Sequence, residues 1–265
     1  KLGGIVDRAV SERWIDARPR PGKATGASSM PFFADRSLIN LTFTGSLEQV
    51  VTTAHELGHA YHNMRLAPRT AMQRDVPMSL AETASIFCET LFVHVGLQHA
   101  TGAGRLAMLD ADLCGATQTI VDIHTRVLFE TAVFERRATR TLGVNELNEL
   151  MLHAQRQAFG ASVRDDTFHP YMWAVKQHYY TSHYYNWQYT FGLLFGLGLF
   201  ALYSTDRAAF RGEYDEMLSR AGMDTAHELA TRFGIDLSDI AFWRSSLDVL
   251  RRRIDQYERL AVNPQ

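Results

Sequence analysis

The stretch His55-Glu56-Leu57-Gly58-His59 constrains this chain more than any other. It falls in a segment that reads as a helix, Leu47 to Arg65. Positions i and i+4 of a helix share one face. The two imidazoles therefore stand side by side, and both can reach one Zn²⁺ at about 2.0–2.1 Å. Glu56 lies one step round the helix, where it can address a metal-bound water without ligating the metal. With a metal in place, the chemistry of such a motif is hydrolysis of peptide bonds. The chain carries its own control. His227-Glu228-Leu229-Ala230-Thr231 opens the same way but has Thr where the second His belongs, and it reads as ordinary helix surface.

Composition narrows the partners. The chain has 265 residues, enough for one large domain or two small ones. A hydrophobic share of 46% and a charged share of 21% are those of a soluble globular protein. Net charge is -2 and no basic run or arm appears, which argues against a nucleic-acid partner. The longest apolar stretch, Phe191–Tyr203, spans 13 residues, short of the roughly 20 a membrane span needs, so a buried core helix is expected and no membrane association. Cys88 and Cys114 sit in apolar helical contexts without C-x-x-C spacing. Reduced core thiols and a cytoplasmic location are the expectation.

Helix and strand signals give a mainly α fold with a small N-terminal β-sheet. Ser37 to Phe43 alternates and is rich in β-branched and aromatic residues, so it reads as the best strand. Ser46 can cap the metal helix, with Glu48 in its first turn. A loop covers 66–78, then Ser79 caps a helix to about Val95 with Glu82 at its third helical position. Residues 105–141 read as one long helix and Val144 to Ala158 as another. Tyr171 to Tyr203 reads as helical and aromatic-rich, with a break near Gly192. Helices over 206–221, 224–233 and 238–261 complete the chain, with Gly222 and Gly234 as stops.

A hydrolytic zinc site keeps three protein ligands and leaves one position for water. Glu82 is the candidate third ligand, because the loop after the metal helix lets a second helix return against the first. Glu89 lies two turns further along the same face, where it can accept a hydrogen bond from the other ring nitrogen of a ligating His. The bland alternatives are a helix-dipole partner for Glu82 and a solvated face for Glu89. Ile86, Phe87, Cys88, Leu91 and Phe92 around Glu89 favour a buried, partnered carboxylate. His62 and His94 are rival ligands. His62, one turn past His59, reads as a surface or substrate-side histidine.

Together these residues resemble a known family. His55-Glu56-Leu57-Gly58-His59-Ala60-Tyr61-His62, followed by Ala81-Glu82-Thr83-Ala84-Ser85 and Glu89, is similar to the M3 zinc metallopeptidases, in particular the oligoendopeptidase F branch. Lys23-Ala24-Thr25-Gly26-Ala27, Asn40 to Leu47, Phe233 to Leu237 and Phe242-Trp243 extend the resemblance over nearly the whole chain. It implies a zincin-type (gluzincin) catalytic domain spanning 1–265, one Zn²⁺ per chain on His55, His59 and Glu82, Glu56 as general base, and oligopeptide substrates. It also implies a cluster of a His and tyrosines that closes over the substrate. That cluster falls on His178, Tyr185 and Tyr189, with His183, Tyr179, Tyr180 and Tyr184 as competitors. At i and i+4, Tyr185 and Tyr189 are expected to face one site. Gly192 stands where some relatives have a further tyrosine. The resemblance also implies members about twice as long, with an N-terminal helical lobe that is expected to be absent from these 265 residues. A zinc-retaining peptide-binding protein without turnover is therefore the alternative. The strand 37–43 can pair with an extended peptide backbone, and Gly26 and Ala27 can let that backbone approach closely.

Overall fold

The computed structural model describes residues 2–23 and 26–262. Ala24 and Thr25 of the Lys23–Ala27 segment lie outside the described residues. Two compact units form: one from the residues up to Leu113 together with those from Gly192 onward, the other Cys114–Phe191.

In the first unit, α1 (Leu2–Ser11) precedes three short strands: β1 (Ile15–Asp16), β2 (Ser28–Pro31) and β3 (Ser37–Asn40). β3 is central, parallel to β1 and antiparallel to β2, with Ser29 opposite Ile39 and Met30 opposite Leu38. The expected strand 37–43 is thus shorter, and both of its edges are already paired. β1 and β2 are the two edge strands. Lys23 donates from its Nζ to the carbonyls of Asp16 (2.8 Å) and Leu41 (2.6 Å), tying the loop after β1 to the chain leaving β3.

The helix that carries His55-Glu56-Leu57-Gly58-His59 is α2 (Leu47–Leu66). Ser46 caps it as expected, but its partner is Gln49, whose side chain also returns to the Ser46 N–H. α3 (Met78–Ala81) and α4 (Thr83–His99) follow, with Pro77 rather than Ser79 at the N-cap position and no side-chain cap there. The span 78–99 is apolar and long enough to cross a membrane by composition. Here it packs along α2 and carries Glu82 and Glu89. α5 (Gly102–Thr117) is joined through a π-helical turn at Gln118–Asp122 to α6 (Ile123–Arg137). The second unit centres on α6 packed against α7 (Val144–Phe159), with Phe129, Leu150, Met151 and Ala154 buried between them.

The segment after α7 departs most from expectation. Residues 171–186 are not one helix: a 3₁₀ turn (Met172–Val175) and a single turn α8 (His178–Thr181) are followed by a loop. α9 (Trp187–Thr205) then runs unbroken through Gly192. Crowded aromatics made the segment look helical. Ser182, extended at φ -153°, ψ 111°, stops α8, and Tyr184 at φ +49° lies in the left-handed region before α9 begins. α10 (Arg207–Arg220), α11 (Ala226–Arg232) and α12 (Ile240–Val262) return to the first unit. Its core includes a ring cluster of Phe87, Phe200, Tyr203, Phe210 and Tyr214. Cys88 is half-buried but Cys114 is exposed, so only the former fits a core thiol.

Candidate active site

Helix periodicity puts His55 and His59 on one face of α2, their ring centroids 4.9 Å apart. Glu82 meets them from the junction of α3 and α4. Its Oε2 lies 3.2 Å from His55 Nε2 and 3.4 Å from His59 Nε2. The three ligand atoms fall within 4.8 Å of one another. Glu82 is not inside a helix, as the third-position reading had it. Its backbone sits at φ -83°, ψ 0°, the sparsely populated bridge region where active-site residues often lie. That bend turns the carboxylate toward α2.

Close helix approach makes the meeting possible. A Cβ on Gly58, the fourth residue of the motif, would lie 2.6 Å from the Ala84 carbonyl oxygen and 2.6 Å from Ser85 Cα. Only glycine lets α2 come so near to α4. From the other side, a Cβ on Gly192 would lie 2.9 Å from Glu82 Cβ, and one on Gly196 would lie 2.6 Å from Ile86 Cγ2. The backbone around Glu82 is therefore wedged between two helices that present glycine to it. A tyrosine at Gly192 does not fit this packing.

The neighbouring groups complete the arrangement. Glu89 Oε2 lies 3.0 Å from His55 Nδ1, which leaves the Nε2 side of the ring to face Glu82. Ser85, fully buried, donates to Glu82 Oε2 at 2.8 Å and steadies it. Sequence reasoning passed over Ser85. Its signals were a place in the Ala81–Ser85 motif and a hydroxyl three residues after an acid. Burial of His55 lowers its proton affinity, but hydrogen bonds to Glu82 and Glu89 outweigh this and raise its pKa to about 10 in the absence of metal. Burial, with the Glu82 charge adding to it, raises the pKa of Glu56 against the opposing pull of His55 and His59.

A tetrahedral ion with ligand distances of about 2.0–2.1 Å sets its ligand atoms roughly 3.4 Å apart. The observed 3.2 and 3.4 Å agree with that edge length. Glu56 is 5% exposed, and its Oε2 has no hydrogen-bond partner among the described residues. An orphaned buried carboxylate oxygen beside two imidazoles and a second carboxylate fits a site that holds a cation and its water. The two rivals fall away. His62 is buried and its Nε2 bonds the Leu218 carbonyl at 3.2 Å, so it is a core histidine rather than a surface one. His94 lies 3.0 Å from Gln98 and packs on Phe200.

His55, Glu56, His59 and Glu82 line a cleft of about 530 Å³ together with Ala27, Ser28, Ser29, Pro31, Asn63, Arg74 and Asp75. Gly26 precedes Ala27 at φ +88°, and nothing lies within 4 Å of where its Cβ would be. Backbone conformation by itself favours glycine there. A second hollow of about 570 Å³, lined by Leu2, Val6, Phe43, Leu57 and Phe92, offers no titratable group except the Cys88 thiol.

In the second unit, His178, Tyr185 and Tyr189 form one cluster. The His178 and Tyr185 rings stack at 4.9 Å, Tyr189 Oη lies 3.4 Å from His178 Nε2, and the two phenol rings are 5.7 Å apart. The helical i, i+4 argument does not explain this, because Tyr185 precedes α9. The competitors are engaged elsewhere: Tyr179 against Phe129, Tyr180 with the Trp173 carbonyl, and His183 and Tyr184 against Phe134.

The sequence profile of peptidase family M3 matches residues 4–249. The chain belongs to that family. Similar proteins are the group B oligopeptidase PepB of Streptococcus agalactiae serotype III (strain NEM316), 26% identical over 97% of this chain and 43% of its own, and the chromosomal oligoendopeptidase F of Lactococcus lactis subsp. cremoris, 24% identical over 96% and 43%. A candidate peptidase from Chlamydophila abortus superposes with a TM-score of 0.83 at 21% identity, covering 97% of this chain and 44% of its own. That likeness carries the fold. Within the M3 family, the chain stands with the oligoendopeptidase F branch. It spans less than half the length of the curated relatives it matches.

Proposed function

We propose that this M3 chain is a zinc-dependent oligopeptidase that hydrolyses internal peptide bonds of oligopeptides, with residues 1–265 as its catalytic domain. The observation that carries the reading is the convergence of His55, His59 and Glu82 beside the unpartnered Oε2 of Glu56. The names of the relatives, oligopeptidase and oligoendopeptidase, support the substrate class.

His55 Nε2, His59 Nε2 and Glu82 Oε2 would hold one Zn²⁺ per chain. Bound there, zinc supplies a Lewis acid that lowers the pKa of a coordinated water toward about 7. Glu56 takes the proton of the attacking water at Oε2 and returns it to the leaving amine. Glu89 holds the Nδ1–H of His55 and so aims its Nε2 lone pair. The substrate backbone runs extended along β2, the edge strand on the cleft wall, where main-chain hydrogen bonds give affinity that depends little on side chains. Ala27 belongs to that wall of the cleft. The oxyanion donors are assigned to His178, Tyr185 and Tyr189. Phenol and imidazole donors suit the task, and the clustering of these three, rather than of their neighbours, supports the choice.

The test is Glu56→Gln. Turnover of a quenched fluorescent oligopeptide is expected to fall by about 10²–10⁴-fold, while zinc measured by atomic absorption stays stoichiometric. Activity near the wild-type level in the zinc-loaded variant would contradict the base assignment.

A further inference from the structure

A stripe of residues on and just before α6 grips the segment that presents the His178–Tyr185–Tyr189 cluster. Asp122, Arg126, Glu130 and Phe134 follow one another at intervals of four, so they run along one helix face. Each touches the segment at a different place. Asp122 Oδ2 lies 3.5 Å from Lys176 Nζ, just before α8. Arg126 donates to the Asn186 side chain at 3.2 Å. Glu130 Oε1 accepts the backbone N–H of Tyr184 at 2.8 Å. The Phe134 ring stacks on Tyr184 at 5.1 Å and meets His183 edge-on at 5.6 Å. Tyr185 is bracketed between two gripped residues.

Glu130 is the unusual member. It is 4% exposed, and among the described residues its Oε2 has no hydrogen-bond partner. A buried carboxylate is a costly choice for a core helix face unless its one bond is needed. That bond holds Tyr184 at φ +49°, a conformation that a tyrosine seldom adopts unaided. The left-handed residue reverses the chain direction so that Tyr184 turns onto Phe134 while Tyr185 turns onto His178.

We propose that Glu130 is a positioning residue for this reaction: through the Tyr184 N–H, and together with Arg126 and Phe134, it fixes the loop that sets Tyr185 against His178. Its importance for turnover rests on the oxyanion-donor reading given above; its effect on ring geometry does not. Only an acceptor oxygen is required, so Glu130→Gln keeps the function and the near-isosteric Glu130→Leu loses it.

The experiment follows the His178 Cε1–H resonance by NMR, assigned with a His178→Gln variant, in the metal-loaded chain. Stacking on Tyr185 displaces this resonance through the ring current, and Tyr185→Leu marks its undisplaced position. In Glu130→Leu it is expected to move toward that position, and in Glu130→Gln to stay. Peptide kcat is expected to fall about 10- to 100-fold in Glu130→Leu with KM little changed, as for a misplaced donor, and to recover in Glu130→Gln. Should Glu130→Leu fail to fold, Phe134→Leu tests the same grip and is expected to move the resonance in the same direction. An unmoved resonance in the folded leucine variants, or equal displacement in Glu130→Gln, overturns the proposal. A wild-type chain with no turnover would instead count against the peptidase reading, and the resonance would still decide the role of Glu130.

Discussion

The zinc-ligand candidates and the phenol cluster are built in opposite ways. His55 and His59 stand on a regular helix, and Glu82 stands at a bend wedged between two glycine-bearing helices. The backbone itself places these atoms, and Ser85 and Glu89 only trim their orientation. Tyr185 stands on a loop with no such support. Its position comes from side chains of α6 that reach across to neighbouring residues. A site carried by helix periodicity tolerates the loss of one trimming contact. A site carried by a loop depends on each grip.

Glu82→Ala should break the comparison hardest. With two ligands left, the chain is expected to retain no zinc after dialysis and to lose peptide turnover altogether, read by metal analysis and the fluorescent-peptide assay. Tyr189→Phe asks the opposite question. Removing one oxyanion donor is expected to lower kcat by about 10²–10³-fold with zinc content unchanged, which would separate the two regions functionally. Glu89→Ala should have a smaller effect. Loss of the partner of His55 Nδ1 is expected to weaken zinc affinity by about 10–100-fold, measured by competition with a chromophoric chelator, while the ligand set persists.

The smallest effect concerns stability rather than activity. Burial lowers the pKa of His62 from 6.5 to about 4. Between those values the unfolded chain binds more protons than the folded one, so stability is full above about pH 6.5 and declines as pH falls toward 4. The Tm of the metal-free protein is expected to drop over that window, and His62→Gln, which cannot titrate, should flatten the drop. An equal decline in the variant would assign the acid sensitivity to other groups.

Helix-borne features were legible because their signal is local. The spacing of His55 and His59, the Ser46 cap and the bounds of α7 and α10 all follow from residues within a few turns of one another. Glu82 was legible as a residue but not in its conformation, since the bend at φ -83°, ψ 0° comes from packing against Gly58 and Gly192. The strand expected to take substrate turned out to be central, because pairing on both edges is a property of three segments together. His62 and Cys114 exchanged their expected surroundings for the same reason: burial depends on what a helix face meets.

Sequence alone determined which atoms can bind a cation and act on water, because a helix repeats its faces regardless of its neighbours. Tertiary structure alone decided how Glu82 comes within reach of the imidazoles and which strands keep a free edge. Those outcomes rest on contacts between segments far apart in the chain, and no local pattern encodes them.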